Sequence, residues 1–258
     1  ASVTIIEQGR VGGLGDVGRG AGKPAAGVGG GAVSVTRESD LEHWWKFDND
    51  LTDEKGSADL TSAEGTFSTA NKKFGSHALD LDGIDDTAYS ADGAVTDLAS
   101  EYTISFWMRP EAITGVLPGA VMFTADSGEF TGITSSGCGA IHHSGKMRYY
   151  HAKASGQESY TSSLSPITAD RWHFVALTWD GSNAKYWLAD ATTATVVTLI
   201  EDPADSASDV RASVDRVWIG SGGYSGRTNG QFDDVRLYNV GLSETELNQV
   251  YGAGDGDY

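Results

Sequence analysis

Several common features are scarce in this sequence, and each scarcity excludes a class of structure or function. Cys138 is the single cysteine among 258 residues, so no internal disulfide framework can form. Lysine and arginine number 18 against 36 acidic residues, a formal net charge of −18 that would repel nucleic acids and anionic membrane surfaces. No apolar run approaches the ~20 residues that a membrane-spanning helix needs. We therefore expect neither nucleic-acid binding nor membrane insertion.

The first 40 residues are rich in glycine and contain a stretch that could be taken for a nucleotide-binding loop. The stretch GGLGDVGRGAGK contains Gly13-x-Gly15-x-x-Gly18 and Lys23, a spacing typical of phosphate-binding loops. Such loops need a following helix, and each glycine in a helix interior costs roughly 1 kcal/mol relative to alanine. Pro24 also stands where a P-loop has serine or threonine. We interpret residues 1–40 as an extended arm instead of a nucleotide site.

The arm has two interpretations, a flexible linker and an element that docks onto other subunits of the same assembly. Glycine lets a backbone thread narrow grooves, and the β-branched run SVTII at 2–6 can add a strand to a partner's sheet edge. The start at Ala1 shows no basic, apolar signal region. We expect that either a signal peptide or only an initiator methionine was removed, and that the protein is extracellular, on a cell surface or in a virion.

Residues 41 to about 240 have the pattern of an antiparallel β-sandwich. Short alternating segments recur with turn residues between them, and DGSN at 180–183 joins two strong strands as a hairpin. The predicted strands are 43–47, 77–81, 102–109, 120–124, 146–152, 172–179, 184–190, 194–200, 216–220 and 232–238.

One segment near the end predicts a helix, LSETELNQVY at 242–251. Ser243 followed three residues later by Glu246 forms a capping box, and Leu242 can pack onto Leu247. Leu247, Val250 and Tyr251 share one face, so this short helix should cover one flank of the sandwich. Residues 255–258 are an acidic tail.

Several motifs together resemble a known family. They are HALDLDGIDDTAY, YTISFWMRPEA, RWHFVALTWDGSNAKYWLADA, RVWIGSGG and GQFDDVRLYNVGLSETELNQVYGAG. In that order they are similar to the laminin-G-like modules of the concanavalin A-like lectin/glucanase superfamily, over residues 41–254. The resemblance implies an all-β fold, an antiparallel two-sheet jelly-roll sandwich, here with one short C-terminal helix and the glycine-rich arm.

The resembling family contains enzymes and non-enzymes, so activity has to be argued from the site. Its glucanase branch carries Glu-x-Asp-x-x-Glu on one strand, since retaining glycosidases need two carboxyl groups about 5 to 5.5 Å apart. In this chain Glu38 and Asp40 begin such a run, but His43 occupies the third position. A G-x-S-x-G elbow is also missing. We expect no catalytic residues, and the carboxylates of DLDGIDD are the only candidates for an enzyme.

Clustered aspartates predict a calcium site. Calcium takes six to eight oxygen ligands, which aspartates in loops can supply. The loop FDNDLTDE holds Asp48, Asp50 and Asp53, and members of the resembling family often carry a structural calcium that links this loop to the closing strand, here at Asp233. The alternative is that these aspartates only cap turns.

A second group of aspartates, Asp82, Asp85 and Asp86 around Gly83, is another calcium candidate. Zinc is not expected, because the adjacent residues His142 and His143 point to opposite faces of a strand.

A sugar site would combine an aromatic ring with amide and guanidinium donors. Tyr224, Arg227 and Asn229 supply these groups in one loop, and either Tyr149 or Tyr150 should face outward from its strand. The tryptophans in strand patterns are expected to lie mostly in the core.

From these features we expect a non-enzymatic structural or adhesive module on the exterior of an assembly such as a virion, an extracellular filament or a surface layer. The arm would dock it, and glycans or proteins are its expected ligands. The alternative is a secreted carbohydrate-binding module whose arm is a linker, and a glycan-active enzyme is a third hypothesis.

Overall fold

The structure is a computed structural model, which describes residues 37–95, 98, 100–113, 119–124, 138–143, 145–153, 156–161, 167–201, 214–221 and 226–253. The predicted arm and acidic tail lie outside these residues, apart from Arg37 to Asp40, of which Glu38–Asp40 form a 3-10 turn. In the described part of the chain, no helix is long and apolar enough to cross a membrane.

Fifteen strands and one helix follow the turn along the described chain. The strands are β1 (Leu41–Trp45), β2 (Leu60–Ala63), β3 (Thr66–Ser68), β4 (Ala78–Asp82), β5 (Thr87–Ser90), β6 (Tyr102–Pro110), β7 (Gly119–Thr124), β8 (Cys138–His143), β9 (Lys146–Lys153), β10 (Gly156–Thr161), β11 (His173–Trp179), β12 (Ala184–Asp190), β13 (Thr198–Glu201), β14 (Arg216–Ile219) and β15 (Asn229–Tyr238). The helix is α1 (Glu244–Ala253).

These strands form two antiparallel sheets, which confirms the predicted sandwich. The eight-stranded sheet has the order β13-β12-β11-β6-β15-β4-β3, with β1 also pairing with β15. The seven-stranded sheet has the order β10-β9-β8-β7-β14-β5-β2. The long strand β15 pairs with β4 through residues 229–232 and with β1 through residues 235–238, so both of these early strands are attached to the sheet through β15.

The main core lies between the two sheets. Alternation in β6 directs Tyr102, Ile104 and Phe106 into this core and leaves Trp107 on the opposite face of the sheet. There Trp107 packs with Leu247 and Val250 of α1, so the helix covers the outer face of the eight-stranded sheet. The prediction of a C-terminal helix on one flank is confirmed.

Two local predictions are also confirmed. The hairpin at 180–183 joins β11 and β12, and the Asp180 carboxylate accepts hydrogen bonds from the backbone N–H groups of Ser182 and Asn183. The capping box forms at α1, where Glu246 accepts from the Ser243 backbone N–H at 2.9 Å. The strand predicted at 194–200 is shorter than expected, because residues 191–196 form turns and only 198–201 pair with β12.

Candidate functional site

A bulge in β15 buries two adjacent carboxylates. The register between β15 and β6 shifts between Asp233 and Arg236, and Asp234 adopts a positive φ of 50°. Asp233 is fully buried, and its Oδ2 accepts hydrogen bonds from the backbone N–H groups of Lys73 and Phe74 at 2.8 and 3.0 Å. Within the described part of the chain its Oδ1 has no hydrogen-bond partner, and neither does Oδ2 of Asp234. Buried polar atoms without partners are rare, so this bulge is a candidate ligand site.

Electrostatics support the same conclusion. Burial, together with the negative charges of Asp234 and Asp48, raises the pKa of Asp233 to about 8, against the lowering effect of its backbone donors. Oδ1 of Asp234 is held by the Trp44 indole N–H at 2.6 Å and the Arg236 guanidinium at 2.8 Å. A guanidinium thus pairs with Asp234, whereas the hydrogen bonds to Asp233 among the described residues come from backbone N–H groups.

Asp48 binds the same loop that binds Asp233. Its Oδ1 accepts from the backbone N–H of Ser76 and from the Ser76 hydroxyl, the latter at 3.0 Å. A Cβ atom on Gly75 would lie 2.1 Å from this carboxylate, so the loop can approach it only because residue 75 is glycine. Two of the four predicted calcium ligands, Asp48 and Asp233, thus accept hydrogen bonds from the same loop, residues 73–77.

The other two predicted ligands have different roles. Asp50 caps a turn by accepting from the backbone N–H of Thr52. Asp53 is buried and accepts from the backbone N–H groups of Trp44, Lys55, Gly56 and Ala58, and it contacts His43 Nδ1 at 2.5 Å. These contacts occupy both of its oxygens, so the structure does not bring Asp53 to Asp233.

The donor set at the bulge fits a calcium ion. Calcium is bound by six to eight oxygen ligands at 2.3–2.6 Å, among which carboxylates are common. The oxygens of Asp233 and Asp234 that accept no hydrogen bond within the described residues, together with the nearby Asp48, are hard oxygen ligands of this kind.

A second feature is an open cleft of about 490 Å³ where β3, β4, β6 and β15 end. Five carboxylates and an amide line most of it: Glu64, Asp80, Asp82, Asp86, Glu111 and Asn229. Asn229 is the predicted sugar-binding residue that the structure places in this cleft.

Buried polar contacts fix the floor of the cleft. Gln231 donates from Nε2 to Asp80 at 2.5 Å and to Glu111 at 2.9 Å, and its Oε1 accepts from Arg109 at 2.8 Å. Arg109 also pairs with Asp170 at 2.8 Å. These contacts hold Asp80 and Glu111 in place and leave the cleft with an excess of negative charge.

The loop DGIDD forms one wall of the cleft. Asp82 caps its turn by accepting from the backbone N–H of Ile84, and Asp86 accepts from the backbone N–H of Asp82 at 2.8 Å. Burial and the charges of nearby aspartates raise the pKa of Asp86, although the Asp82 hydrogen bond opposes this shift. Gly83 has a φ of 77°, and a Cβ there would lie 2.7 Å from Asn229 Cβ, so glycine is required at this contact.

Glu64, Asp85 and Asp86 each have one carboxylate oxygen that lies within 4.8 Å of those of the other two. The sequence prediction of a site around Gly83 contained Asp85 and Asp86, which belong to this group, and Asp82, which caps the turn; it did not contain Glu64. Glu64 lies 21 positions before Asp85, and only the pairing of β2 with β5 brings them together.

The remaining predicted sugar ligands are dispersed. Tyr149 is fully buried and stacks on Tyr186 at 4.2 Å between ring centroids, which removes it from any surface platform because alternation turns it inward. Tyr150 has the opposite parity in β9, but its side chain lies outside the described residues, as does Tyr224. Arg227 donates to the Ser221 hydroxyl at 2.9 Å. The side chains of His142 and His143 also lie outside the described residues.

The chain shares its family and its fold with known proteins. A family model described as the concanavalin A-like lectin/glucanases superfamily matches residues 82–248. No curated protein matches the sequence significantly.

Among solved structures, domain 4 of the extracellular arabinanase AbnA from Geobacillus stearothermophilus, in complex with arabinotriose, superimposes with a TM-score of 0.60. The two are 16% identical, over 82% of this chain and 98% of that domain. The ligand-binding domain of botulinum neurotoxin serotype D, in complex with N-acetylneuraminic acid, gives 0.63 at 13% identity over 84% of this chain. The present chain spans 51% of that domain, so this match shows a shared fold.

Proposed function

Because the chain belongs to the concanavalin A-like lectin/glucanase superfamily, we propose that it is a non-enzymatic binding module that holds a carbohydrate in the acidic cleft. The observation that carries this proposal is the cleft itself, in which carboxylates and an amide are held at the ends of four strands. Carboxylates accept hydrogen bonds from sugar hydroxyls, and Asn229 can both donate and accept.

The charge of the cleft defines the ligand more closely. Five carboxylates line it, so an uncharged oligosaccharide fits, whereas an acidic sugar would be repelled. The arabinanase domain was solved with arabinotriose, a neutral sugar, and that domain is covered almost completely by this chain. Neutral oligosaccharides are therefore the ligand class that we propose.

A glycan array probed with the full chain tests this proposal. We expect binding to neutral oligosaccharides and at least a tenfold loss in Asn229→Ala. The control is Asn183→Ala, because Asn183 and Asn229 lie near opposite ends of β6. Asn183 is in the hairpin after Trp179, which pairs with Tyr102 at the start of β6. Asn229 precedes Gly230, which pairs with Pro110 at the end of β6. Equal binding by Asn229→Ala and the native chain would contradict the cleft as the site. Release of reducing ends from a bound glycan would show an enzyme instead.

We also propose that a calcium ion binds between Asp48 and Asp233, where it would neutralise the buried carboxylates and tie the loop 73–77 to β15. Two features support this proposal, the unpartnered Oδ1 of Asp233 and the nearby charges of Asp48 and Asp234. Asp53 is not part of this proposal, because backbone N–H groups and His43 engage both of its oxygens, and Asp50 is left out because its one hydrogen bond among the described residues is to Thr52 in its own turn.

The role of the arm is a further part of the proposal. We propose that residues 1–40 dock the module onto other subunits of an extracellular, cell-surface or virion assembly. The support is its sequence, in which glycine density and the β-branched run SVTII suit threading and strand addition. A secreted module with a linker arm is the alternative.

A further inference from the structure

Strand β13 ends the eight-stranded sheet, and its surface is apolar. Among the described residues, β13 pairs with β12 and with no further strand. Three large hydrophobic side chains of the described chain are exposed, and two of them, Val196 at 53% and Leu199 at 38%, lie in β13 or just before it. The run ATVVTLI at 194–200 contains no lysine, arginine or proline, residues that commonly protect a sheet edge from pairing. This edge is therefore suited to receive an added strand.

Helix α1 holds this edge in place. The backbone N–H of Val197 donates to Oδ1 of Asn248 at 2.7 Å, and the Tyr251 hydroxyl donates to the carbonyl of Ala194 at 2.7 Å. The Asn248 amide is itself oriented, because its Nδ2 donates to the carbonyl of Glu244 at 2.9 Å. An edge fixed in this way loses little further freedom when a strand binds to it, which favours binding.

The other ends of the two described sheets are less suited to strand addition. Strand β3 has only three residues. In β2, the backbone N–H of Leu60 already donates to the carbonyl of Leu51 at 2.9 Å. Strand β10 has the polar sequence GQESYT, which includes the charged Glu158. Charged and very short edge strands are features that discourage pairing, so β13 is the edge to which we assign a partner.

The occupant that fits β13 is the run SVTII at 2–6 from a second copy of this chain. Two copies that each carry a net charge of −18 repel one another, but residues 2–6 and 194–200 are both uncharged. Glu7 and Glu201 follow these two runs, and like charges that lie opposite each other destabilise a strand pair. Antiparallel pairing keeps the two carboxylates at opposite ends, so it is the favoured direction.

The side chains of the two segments also match. Leu199 pairs with Trp187, which lies on the outer face of the sheet beneath α1, while Ile200 packs against the main core. The edge is therefore apolar on both faces. Alternation in SVTII puts Val3 and Ile5 on one face and the residues between and after them on the other. Its added strand would extend the apolar surface on both faces of the sheet.

The position and length of the arm allow this contact. Arg37, where the described chain begins, pairs with Glu246 of α1 at 3.4 Å, so the arm leaves from the helix that also supports β13. The roughly 30 residues between SVTII and Arg37 can span up to about 100 Å. Two neighbouring copies can therefore exchange their arms reciprocally, and the closed pair has two identical contacts.

We propose that residues 2–6 of one copy add an antiparallel strand to β13 of a second copy, at the edge that α1 supports. This inference rests on the proposed docking role of the arm, and it names both the segment that binds and the surface that receives it. The short length of β13 and its bulge at Ile200 fit a partner strand of only five residues.

Analytical ultracentrifugation of two complementary variants of the full chain tests this contact. Val196→Lys with Leu199→Lys blocks the edge, and Val3→Asp with Ile5→Asp blocks the arm. The native chain should associate, and each variant alone should associate at least tenfold more weakly. A mixture of the two variants should associate again, because the intact arm of one meets the intact edge of the other and the substituted arm and edge carry opposite charges.

Two controls add the same charges elsewhere on exposed or glycine-rich parts of the chain. Ile84→Lys with Thr52→Lys, and Ala25→Asp with Ala26→Asp, should both associate like the native chain. Association of the edge-blocked variant at native strength would overturn the assignment of β13, as would a mixture that stays monomeric. If the arm-blocked variant is monomeric in either case, the arm still docks, but on another surface. A monomeric native chain would overturn this inference together with docking onto copies of the same chain.

Hydrogen exchange reads the same edge without relying on mass. The backbone amides of 198–201 should exchange at least tenfold more slowly in the native chain than in Val3→Asp with Ile5→Asp at equal concentration. This protection should disappear on dilution to the monomer. Equal exchange in the two proteins would overturn strand addition, and protection that persists in the monomer would mean that the arm binds its own chain, which overturns exchange between copies.

Discussion

At the scale of single residues, Asp53 shows how one carboxylate can organise a loop. Its oxygens accept from four backbone N–H groups and contact His43, whose ring stacks on Trp45 at 5.5 Å between ring centroids. Burial alone would raise the pKa of Asp53, but the contact with His43 and the backbone donors outweigh it and hold the pKa well below its usual value of 3.8. Asp53 therefore contributes to stability as an ionised group.

The substitution Asp53→Asn tests this role. An amide presents N–H groups where backbone donors already point, so we expect a loss of roughly 2 to 4 kcal/mol in the free energy of unfolding at pH 7. Because the pKa is lowered by folding, the ionised group stabilises the fold above pH 3.8, and this contribution is lost as the pH falls through the folded-state value. Denaturant unfolding should thus show a difference between the two proteins that shrinks below pH 3.8. A difference that grows in acid would contradict this account.

At the scale of secondary-structure elements, helix α1 is capped by residues at its own start and packs against a sheet formed by distant parts of the chain. The Ser243 hydroxyl and Glu246 carboxylate contact at 2.7 Å, and the hydrogen bonds from Ser243 lower the pKa of Glu246. Arg37 pairs with the same Glu246 at 3.4 Å, so the helix start also contacts the residue before the 3-10 turn. Leu247 and Val250 are fully buried against the sheet.

Ser243→Ala should remove the cap without disturbing this packing. Loss of a serine N-cap costs about 1 kcal/mol, so we expect a destabilisation near that value and an increase in hydrogen exchange confined to the first turn of α1. Ser57→Ala, an exposed serine in a loop, is the matched control and should change stability by less than about 0.5 kcal/mol. A loss of several kcal/mol in Ser243→Ala would mean that the hydroxyl has a role beyond the cap.

At the scale of the whole molecule, the question is whether the arm assembles the protein. Light scattering of the full chain and of a chain that lacks residues 1–36 decides this, because the shorter chain keeps the Arg37–Glu246 pair and the whole sandwich. We expect the full chain to form a larger species and the shorter chain to be a folded monomer. If both are monomers of equal fold, the arm does not join copies of this chain, and either the arm is a linker or its partner is a different protein.

Local rules explain what the sequence determined by itself. Alternation of apolar residues predicted seven strands of the eight-stranded sheet and three of the seven-stranded sheet, Ser243 and Glu246 predicted the start of α1, and the motifs from HALDL to the closing FDDVRLY identified the family. The strands and the helix start depend on residues that lie within a few positions of one another, where backbone geometry limits the choices. Short strands without strong alternation, such as β2, β3 and β10, were not predicted because their pairing partners stabilise them.

Only the tertiary structure decided which charged groups meet. The sequence grouped Asp48, Asp50 and Asp53 because they are close along the chain, but folding takes Asp48 to the loop beside Asp233 and Asp53 to His43. It also joins Glu64 to Asp85 and Asp86 and turns Tyr149 into the core. The physical reason is that the order and register of strands set these contacts, and that order results from burying the two sheet faces together, which no short stretch of sequence encodes.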